Sequence, residues 1–210
     1  KVTGVQTCAL PISDVSKFYG VHYAHRGLFD NKSNAPENSL NAIRKAVEAG
    51  YGIEFDVQLS KDNVPVVFHD ASLKRVCGID GKVWEYTLEE LQKIKLADSD
   101  QTIPTFEEVL KLVNGKVPVI IEYKMDRVDT KVCELGNKVL ENYQGTYCIE
   151  SFHPFAVQWY RKNRPDVVRG QLSENYARGG KKAFYLRVMT YLLTNFLTRP
   201  DFIAYRHKDA

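Results

Sequence analysis

A parallel α/β fold on the plan of a (β/α)8 barrel, short of its full set of strands, is what this 210-residue sequence predicts. Three observations carry the prediction. Strand-like and helix-like patterns alternate with short connections. About seven apolar strand-like runs can be marked off by their turns. Charged residues collect at the ends of those runs instead of alternating along them, as they would on a solvated sheet face. A complete eight-stranded barrel takes about 250 residues, so roughly one or two strand–helix units are lacking, and the last strand is expected to be missing from the C-terminus. An open doubly wound sheet is the alternative, but it would hold phosphate on glycine-rich turns, and none is present.

In order, residues 21–25 form a short apolar run ending in His25-Arg26-Gly27, where the glycine permits a sharp exit. Asn38 or Ser39 then caps a helix running to about Ala49, with Leu40, Ile43, Ala46 and Val47 at helical spacing. The next strand opens at Gly52 and sets Glu54 and Asp56 two residues apart, so both point to one side while Ile53, Phe55 and Val57 point to the other. A turn at 61–63 leads to a strand over 64–68 that ends on His69 and Asp70, and this link is too short for a crossover helix. Residues 71–105 break the pattern and read as a small insertion packed on the main fold. Thr105 caps a helix through Val113, and 118–125 form a strand carrying Glu122 and Lys124. A helix covers 128–141, a strand 147–152, a helix 156–163 and a strand 167–172. A strongly apolar helix is expected over 181–197, as an outer layer of the barrel in preference to a membrane-surface element, and a last strand over 201–205.

Residues 2–12 read as the forward translation of a common short-read sequencing adaptor. Residues 1–13 are therefore set apart from a single domain over 14–210. No apolar run is long enough to span a bilayer. A net charge of +3, spread along the chain, gives nucleic-acid binding no support. The four cysteines have no short paired spacing, which argues against a zinc site or a disulfide framework and makes a reducing cytoplasm the default location.

Two acids on one side of an otherwise buried strand need positive compensation. In a barrel the C-terminal strand ends open on one face, where Glu54, Asp56 and Glu122 would meet. Hard oxygen ligands without thiolates favour Mg²⁺ or Ca²⁺. His25 and His69 would flank such an ion, suited to exchanging protons near neutral pH. With Arg26 and Lys124 added, the site carries roughly +1, complementary to a phosphodiester. His22, His153 and His207 have no such partners and are read as structural.

The ordered segments His25-Arg26-Gly27, Pro36-Glu37-Asn38-Ser39, Glu54-Phe55-Asp56-Val57, Pro65-Val66-Val67-Phe68-His69-Asp70 and Glu122-Tyr123-Lys124 resemble the glycerophosphodiester phosphodiesterase family over nearly everything from Val21 onward. The resemblance implies a barrel of the phospholipase C-like phosphodiesterase type with a small insertion after the second histidine. It also implies hydrolysis of glycerophosphodiesters to glycerol 3-phosphate and an alcohol, and dependence on a divalent cation. By the same resemblance Glu54, Asp56 and Glu122 are metal ligands, His25 and His69 the acid–base pair, and Arg26 and Lys124 phosphate contacts. Glu37 and Asn38 match a motif at the rim of the site, although Asn38 would also serve as a helix cap. The Trp-Thr-like motif usual on the family's last strand is absent. A phospholipase D-like lyase acting on sphingomyelin or lysophospholipid, and a catalytically dead barrel, are the competing expectations.

Overall fold

A computed structural model describes residues 5–6, 14–125, 128–176 and 184–206, with side chains at 14–125, 128–176 and 187–206. Most of the suspected adaptor segment, Cys8, the first residues of the helix expected over 181–197, and His207 lie outside the described residues. The contacts divide the chain into two compact units, Lys17–Tyr147 and Lys1–Ser16 with Cys148–Ala210.

In the first unit, strand β2 (Tyr23–His25) and strand β5 (Val119–Tyr123) both run parallel to the central β3 (Gly52–Leu59). His25 aligns with Glu54, and Asp56 with Glu122, so Asp56 and Glu122 sit at one height in the sheet and Glu54 two residues before them on the same side of β3. Both faces of β3 are buried, as expected of a central parallel strand. Strand β4 (Pro65–Val67) pairs antiparallel with β3, Val57 opposite Val67. A turn closes this hairpin: the Ser60 N–H donates to the Val64 carbonyl at 3.0 Å, and Asn63 takes a left-handed conformation at φ 63°. The short 60–64 link thus produces a local antiparallel pair within an otherwise parallel arrangement of the first unit.

Helix α1 (Leu40–Glu48) is capped by Ser39, whose hydroxyl accepts from the Ala42 N–H at 3.1 Å, and it buries Ala42, Ile43 and Ala46. Gly27, at φ 82°, passes close enough to α1 that a Cβ there would lie 2.8 Å from the Ala42 carbonyl carbon. After Asp70 come the short helices α2 (Lys74–Cys77) and α3 (Leu88–Leu91). Leu73, Val76, Val83, Leu91, Ile94, Leu96 and Ile103 pack with Val66 and Phe68 of the β4 region, so residues 71–105 share a core with that strand. Helix α4 (Phe106–Val113) begins with a full capping box between Thr105 and Glu108, and α5 (Lys131–Leu140) follows β5. Gly136 lets α5 close on β5, since a Cβ there would meet the Tyr123 ring.

In the second unit, β6 (Tyr147–Ser151), β7 (Arg169–Ser173) and β8 (Phe202–Tyr205) are parallel neighbours, with α6 (Pro154–Asn163) between the first two and β1 (Val5–Gln6) antiparallel on β8. Asp201 ties β7 to β8: its carboxylate accepts the Arg169 N–H at 3.0 Å, while its own N–H donates to the Arg169 carbonyl at 2.8 Å. His153 is indeed structural, accepting the Phe155 N–H as the cap of α6. The single helix expected over 181–197 needs correction. Two helices, α7 (Phe184–Thr190) and α8 (Asn195–Thr198), are separated where Leu192 turns left-handed at φ 54°. The break leaves Tyr191, Leu193 and Phe196 exposed where continuous packing was expected.

Replacing Gly27 with Ala combines a positive φ with a backbone clash, and is expected to destabilise the fold by about 1–3 kcal/mol. Urea unfolding measures it, and an unchanged midpoint would contradict this role for Gly27.

Candidate active site

The site is assembled where β2, β4 and β5 end against the middle of β3. Beyond His25 the backbone at Arg26 turns left-handed, φ 60°, and points its N–H back at β3. That N–H lies 2.8 Å from the Glu54 carbonyl and 3.1 Å from its carboxylate Oε2, so the turn reads the side chain of the acid beside it. His25 Nε2 stands 3.7 Å from the same carboxylate oxygen, with most of its ring in solvent. Asn38 is left-handed too, at φ 60°, and its N–H donates to the Arg26 carbonyl at 3.0 Å. Its amide donates to Asp56 Oδ2 at 2.8 Å. Ser39 performs the capping, which frees the Asn38 side chain for the site.

Asp56 is fully buried. Lys124 Nζ lies 2.9 Å from Asp56 Oδ1 and 2.5 Å from Glu122 Oε1, drawing the two acids together. Ligand oxygens of Glu54, Asp56 and Glu122 all fall within 4.8 Å of one another. Three buried carboxylates at that spacing fit a hard divalent cation. Glu54 and Asp56 share a side of β3, and Glu122 faces them from β5. The buried Asn38 Oδ1 makes no hydrogen bond and is a further oxygen beside the triad.

The carboxylates do not titrate alike. Burial drives the Glu122 carboxyl up to about 7, assisted by the Asp56 charge, with Lys124 only partly restraining it. Burial also works to raise Asp56, but Lys124, His69 and the Asn38 amide outweigh it and hold that carboxyl down. Lys124 is held charged, because Asp56 and Glu122 overcome the burial that would lower it.

His69 follows β4. Its Nδ1 lies 2.5 Å from Asp70 Oδ1, and Gln58 Nε2 donates to the Phe68 and Asp70 carbonyls, fixing the backbone on either side. With Nδ1 turned to Asp70, Nε2 is the ring nitrogen that Asp70 does not engage. Desolvation by the surrounding site groups lowers both imidazoles, aided most by Arg26 at His25, whose ring is nonetheless largely exposed, and opposed most by Asp56 at His69.

Glu37 lies behind these groups and is itself buried. It accepts from Arg26 Nη1 at 2.9 Å, from the Asn31 amide at 3.1 Å and from Arg75 Nη1 and Nη2 at 2.8 and 2.7 Å. Burial alone would raise its carboxyl, but the Arg75 and Asn31 hydrogen bonds hold it down to about 2. Arg26 Nε is 3.7 Å from Asp56 Oδ2.

All nine residues singled out in the sequence therefore gather in the first unit, at one end of its sheet. Arg75 and Asp70 join them without having been chosen as site residues. The pattern offered little to find Arg75: it sits in a polar stretch, and only its place five residues after Asp70, in the first turn of a short helix, hints at an ion pair.

Comparison with known proteins places these features in context. Residues 25–199 match the Glycerophosphoryl diester phosphodiesterase family. A glycerophosphodiester phosphodiesterase of Bacillus altitudinis is 34% identical over 69% of this chain and 63% of its own length. One from Caldanaerobacter subterraneus is 37% identical over 71% and 65% respectively, so the chain spans a little under two thirds of these relatives. Among solved structures, an Oleispira antarctica phosphodiesterase in complex with the product sn-glycerol-3-phosphate superposes with a TM-score of 0.70 at 26% identity, covering 84% of this chain and 73% of that one. A Thermotoga maritima glycerophosphodiester phosphodiesterase gives a TM-score of 0.65 at 28% identity, over 87% and 72%. The fold class is accordingly that of an incomplete (β/α)8 barrel.

A raised Glu122 carboxyl binds its proton more tightly in the folded than in the unfolded chain. Its contribution to stability is full below its ordinary carboxylate range and is lost as pH rises through about 7. In chelator, Glu122→Gln is therefore expected to melt above the unsubstituted chain at pH 8, with the gap closing toward pH 5. A gap independent of pH would contradict the assigned titration.

Proposed function

The chain belongs to the glycerophosphoryl diester phosphodiesterase family, and from that premise we propose that it hydrolyses glycerophosphodiesters to glycerol 3-phosphate and an alcohol. The observation that carries the reading is the convergence of a buried carboxylate triad with two histidines and two cations where β2, β4 and β5 end against the middle of β3. The product complex of the Oleispira relative supports a small phosphate-bearing substrate. Residues 14–210 are read as the catalytic domain, with 71–105 an insertion in it. Free Cys77 and buried, unpaired Cys133 and Cys148 support a reducing cytoplasmic setting, and no helix among the described residues is long and apolar enough to cross a membrane.

Glu54, Asp56 and Glu122 would hold a divalent cation, Mg²⁺ or Ca²⁺. Such an ion, when bound, neutralises and polarises phosphoryl oxygen. Arg26 and Lys124 bind the remaining phosphate charge, and Glu37 orients Arg26 from behind. Asn38 holds Asp56 in place through its amide. Where a cyclic phosphate forms, one histidine takes the proton of the glycerol 2-hydroxyl as that oxygen bonds to phosphorus, and the other gives a proton to the departing alcohol oxygen. Water then attacks phosphorus, the histidines exchange roles, and the 2-oxygen leaves with a proton to give glycerol 3-phosphate. The lowered imidazoles keep a neutral form populated near pH 7, which proton acceptance requires. The Arg26 guanidinium and the Lys124 ammonium, the latter held charged by Asp56 and Glu122, meet the growing negative charge without rearrangement.

His69→Ala is expected to lower kcat on glycerophosphocholine by at least about a hundredfold, with divalent-ion affinity retained. Activity near that of the unsubstituted chain would remove His69 from the mechanism. Choline and glycerol 3-phosphate as products separate this chemistry from a lyase acting on lysophosphatidylcholine.

A further inference from the structure

Arg75 spends almost its whole guanidinium on two carboxylates. Nε donates to Asp70 Oδ2 at 2.6 Å and Nη2 to Asp70 Oδ1 at 2.9 Å. Nη2 also reaches Glu37 Oε1 at 2.7 Å, and Nη1 reaches Glu37 Oε2 at 2.8 Å. Each carboxylate in turn holds one group of the site. Asp70 Oδ1 lies 2.5 Å from His69 Nδ1, and Glu37 Oε1 accepts from Arg26 Nη1 at 2.9 Å.

We propose that Arg75 is a positioning residue that clamps Asp70 to Glu37 and thereby sets the orientation of His69 and of Arg26 together. The proposal rests on the phosphodiesterase reading for its effect on turnover, but the clamp itself is a matter of geometry.

Three physical points support it. The guanidinium is a rigid planar fork whose donors can grip two carboxylates at once, whereas an ammonium cannot reproduce that pattern. Without a cation between them, Asp70 and Glu37 would repel each other and turn away, taking their partners along. By sharing Glu37, Arg75 also prevents that carboxylate from cancelling the Arg26 charge, which is left available to an anion. The clamp is held from below: Arg75 is flanked in α2 by Val76, which, with Leu73 just before the helix, is buried in the core built on Val66 and Phe68. The 71–105 segment thus has a task at the site, delivering one side chain to two places.

The test compares the unsubstituted chain with Arg75→Lys, Arg75→Met, Asp70→Asn and the Arg75→Met/Asp70→Asn double variant. Turnover of glycerophosphocholine, melting temperature, Mg²⁺ affinity and the His69 imidazole ¹⁵N shifts are read for each. Arg75→Lys and Arg75→Met are expected to lose about ten- to a hundredfold in kcat. Arg75→Lys, which keeps the charge, should leave Mg²⁺ affinity and melting temperature little changed, while Arg75→Met, which leaves buried Glu37 without its cation, should also melt lower but keep its Mg²⁺ affinity. The double variant should be no worse than Arg75→Met alone. The His69 nitrogens should move toward an average of the two tautomers in Arg75→Lys, whether or not turnover is seen. Unchanged His69 shifts, full activity in Arg75→Lys, or losses that multiply in the double variant would each overturn the clamp. Parallel loss of melting temperature and Mg²⁺ affinity would overturn it in favour of a purely structural role. If the unsubstituted chain turns nothing over while the shifts move as stated, the phosphodiesterase reading fails and the clamp stands.

Discussion

Asp56 carries a charge with no access to water, and the surrounding architecture is arranged to make that tolerable. An isolated buried carboxylate would be costly enough to force protonation. Here the Lys124 ammonium at 2.9 Å, the Asn38 amide at 2.8 Å and Arg26 at 3.7 Å surround it. Each of these comes from a different place: Lys124 just beyond β5, Asn38 from the turn before α1, Arg26 from the turn after β2. The parallel register of β2, β3 and β5 places Arg26 just before and Lys124 just after the level of Asp56. The left-handed backbone at Arg26 and Asn38 then aims their polar groups inward. Left-handed conformation at two non-glycine residues beside one buried acid is local strain placed where a site needs it.

The same logic extends outward in layers. Glu122 stays poised between protonated and ionised states because burial and Asp56 oppose Lys124. A divalent cation would settle that competition by favouring the ionised form. Behind Arg26 lies Glu37, and behind Glu37 and Asp70 lies Arg75, so charges alternate in sign from the buried centre toward solvent. The shell is therefore not a set of separate ion pairs. Removing a member leaves its neighbours with an unbalanced charge, and such sites respond non-additively to substitution.

Much of this was legible from residue spacing. An i, i+2 acid pair in an apolar strand, histidines closing two apolar runs and a further strand carrying Glu122 and Lys124 marked six residues that do lie together, with Arg26 beside His25, while Glu37 and Asn38 were marked only by the family resemblance. The parallel plan and most element positions followed from periodicity and caps. What was not legible has physical causes. The choice between Asn38 and Ser39 as cap depended on a backbone angle that sequence does not print. The hairpin of β3 and β4 showed only as a link too short to cross over. Arg75 escaped because its partners lie 5 and 38 residues away, and long-range ion pairs leave no periodic trace. The helix expected over 181–197 was misjudged because apolar content persists through Tyr191–Thr194, where Leu192 departs from helical geometry.

The central claim is that the buried triad is a cation site and not merely a structural cluster. Titration calorimetry of the chain with Mg²⁺ or Ca²⁺ tests this most directly, with Asp56→Asn as its control. One ion bound per chain, with affinity lost in Asp56→Asn and falling as pH drops below about 7 while Glu122 takes up its proton, is the expected result. No binding by the unsubstituted chain, or equal binding by Asp56→Asn, would contradict it.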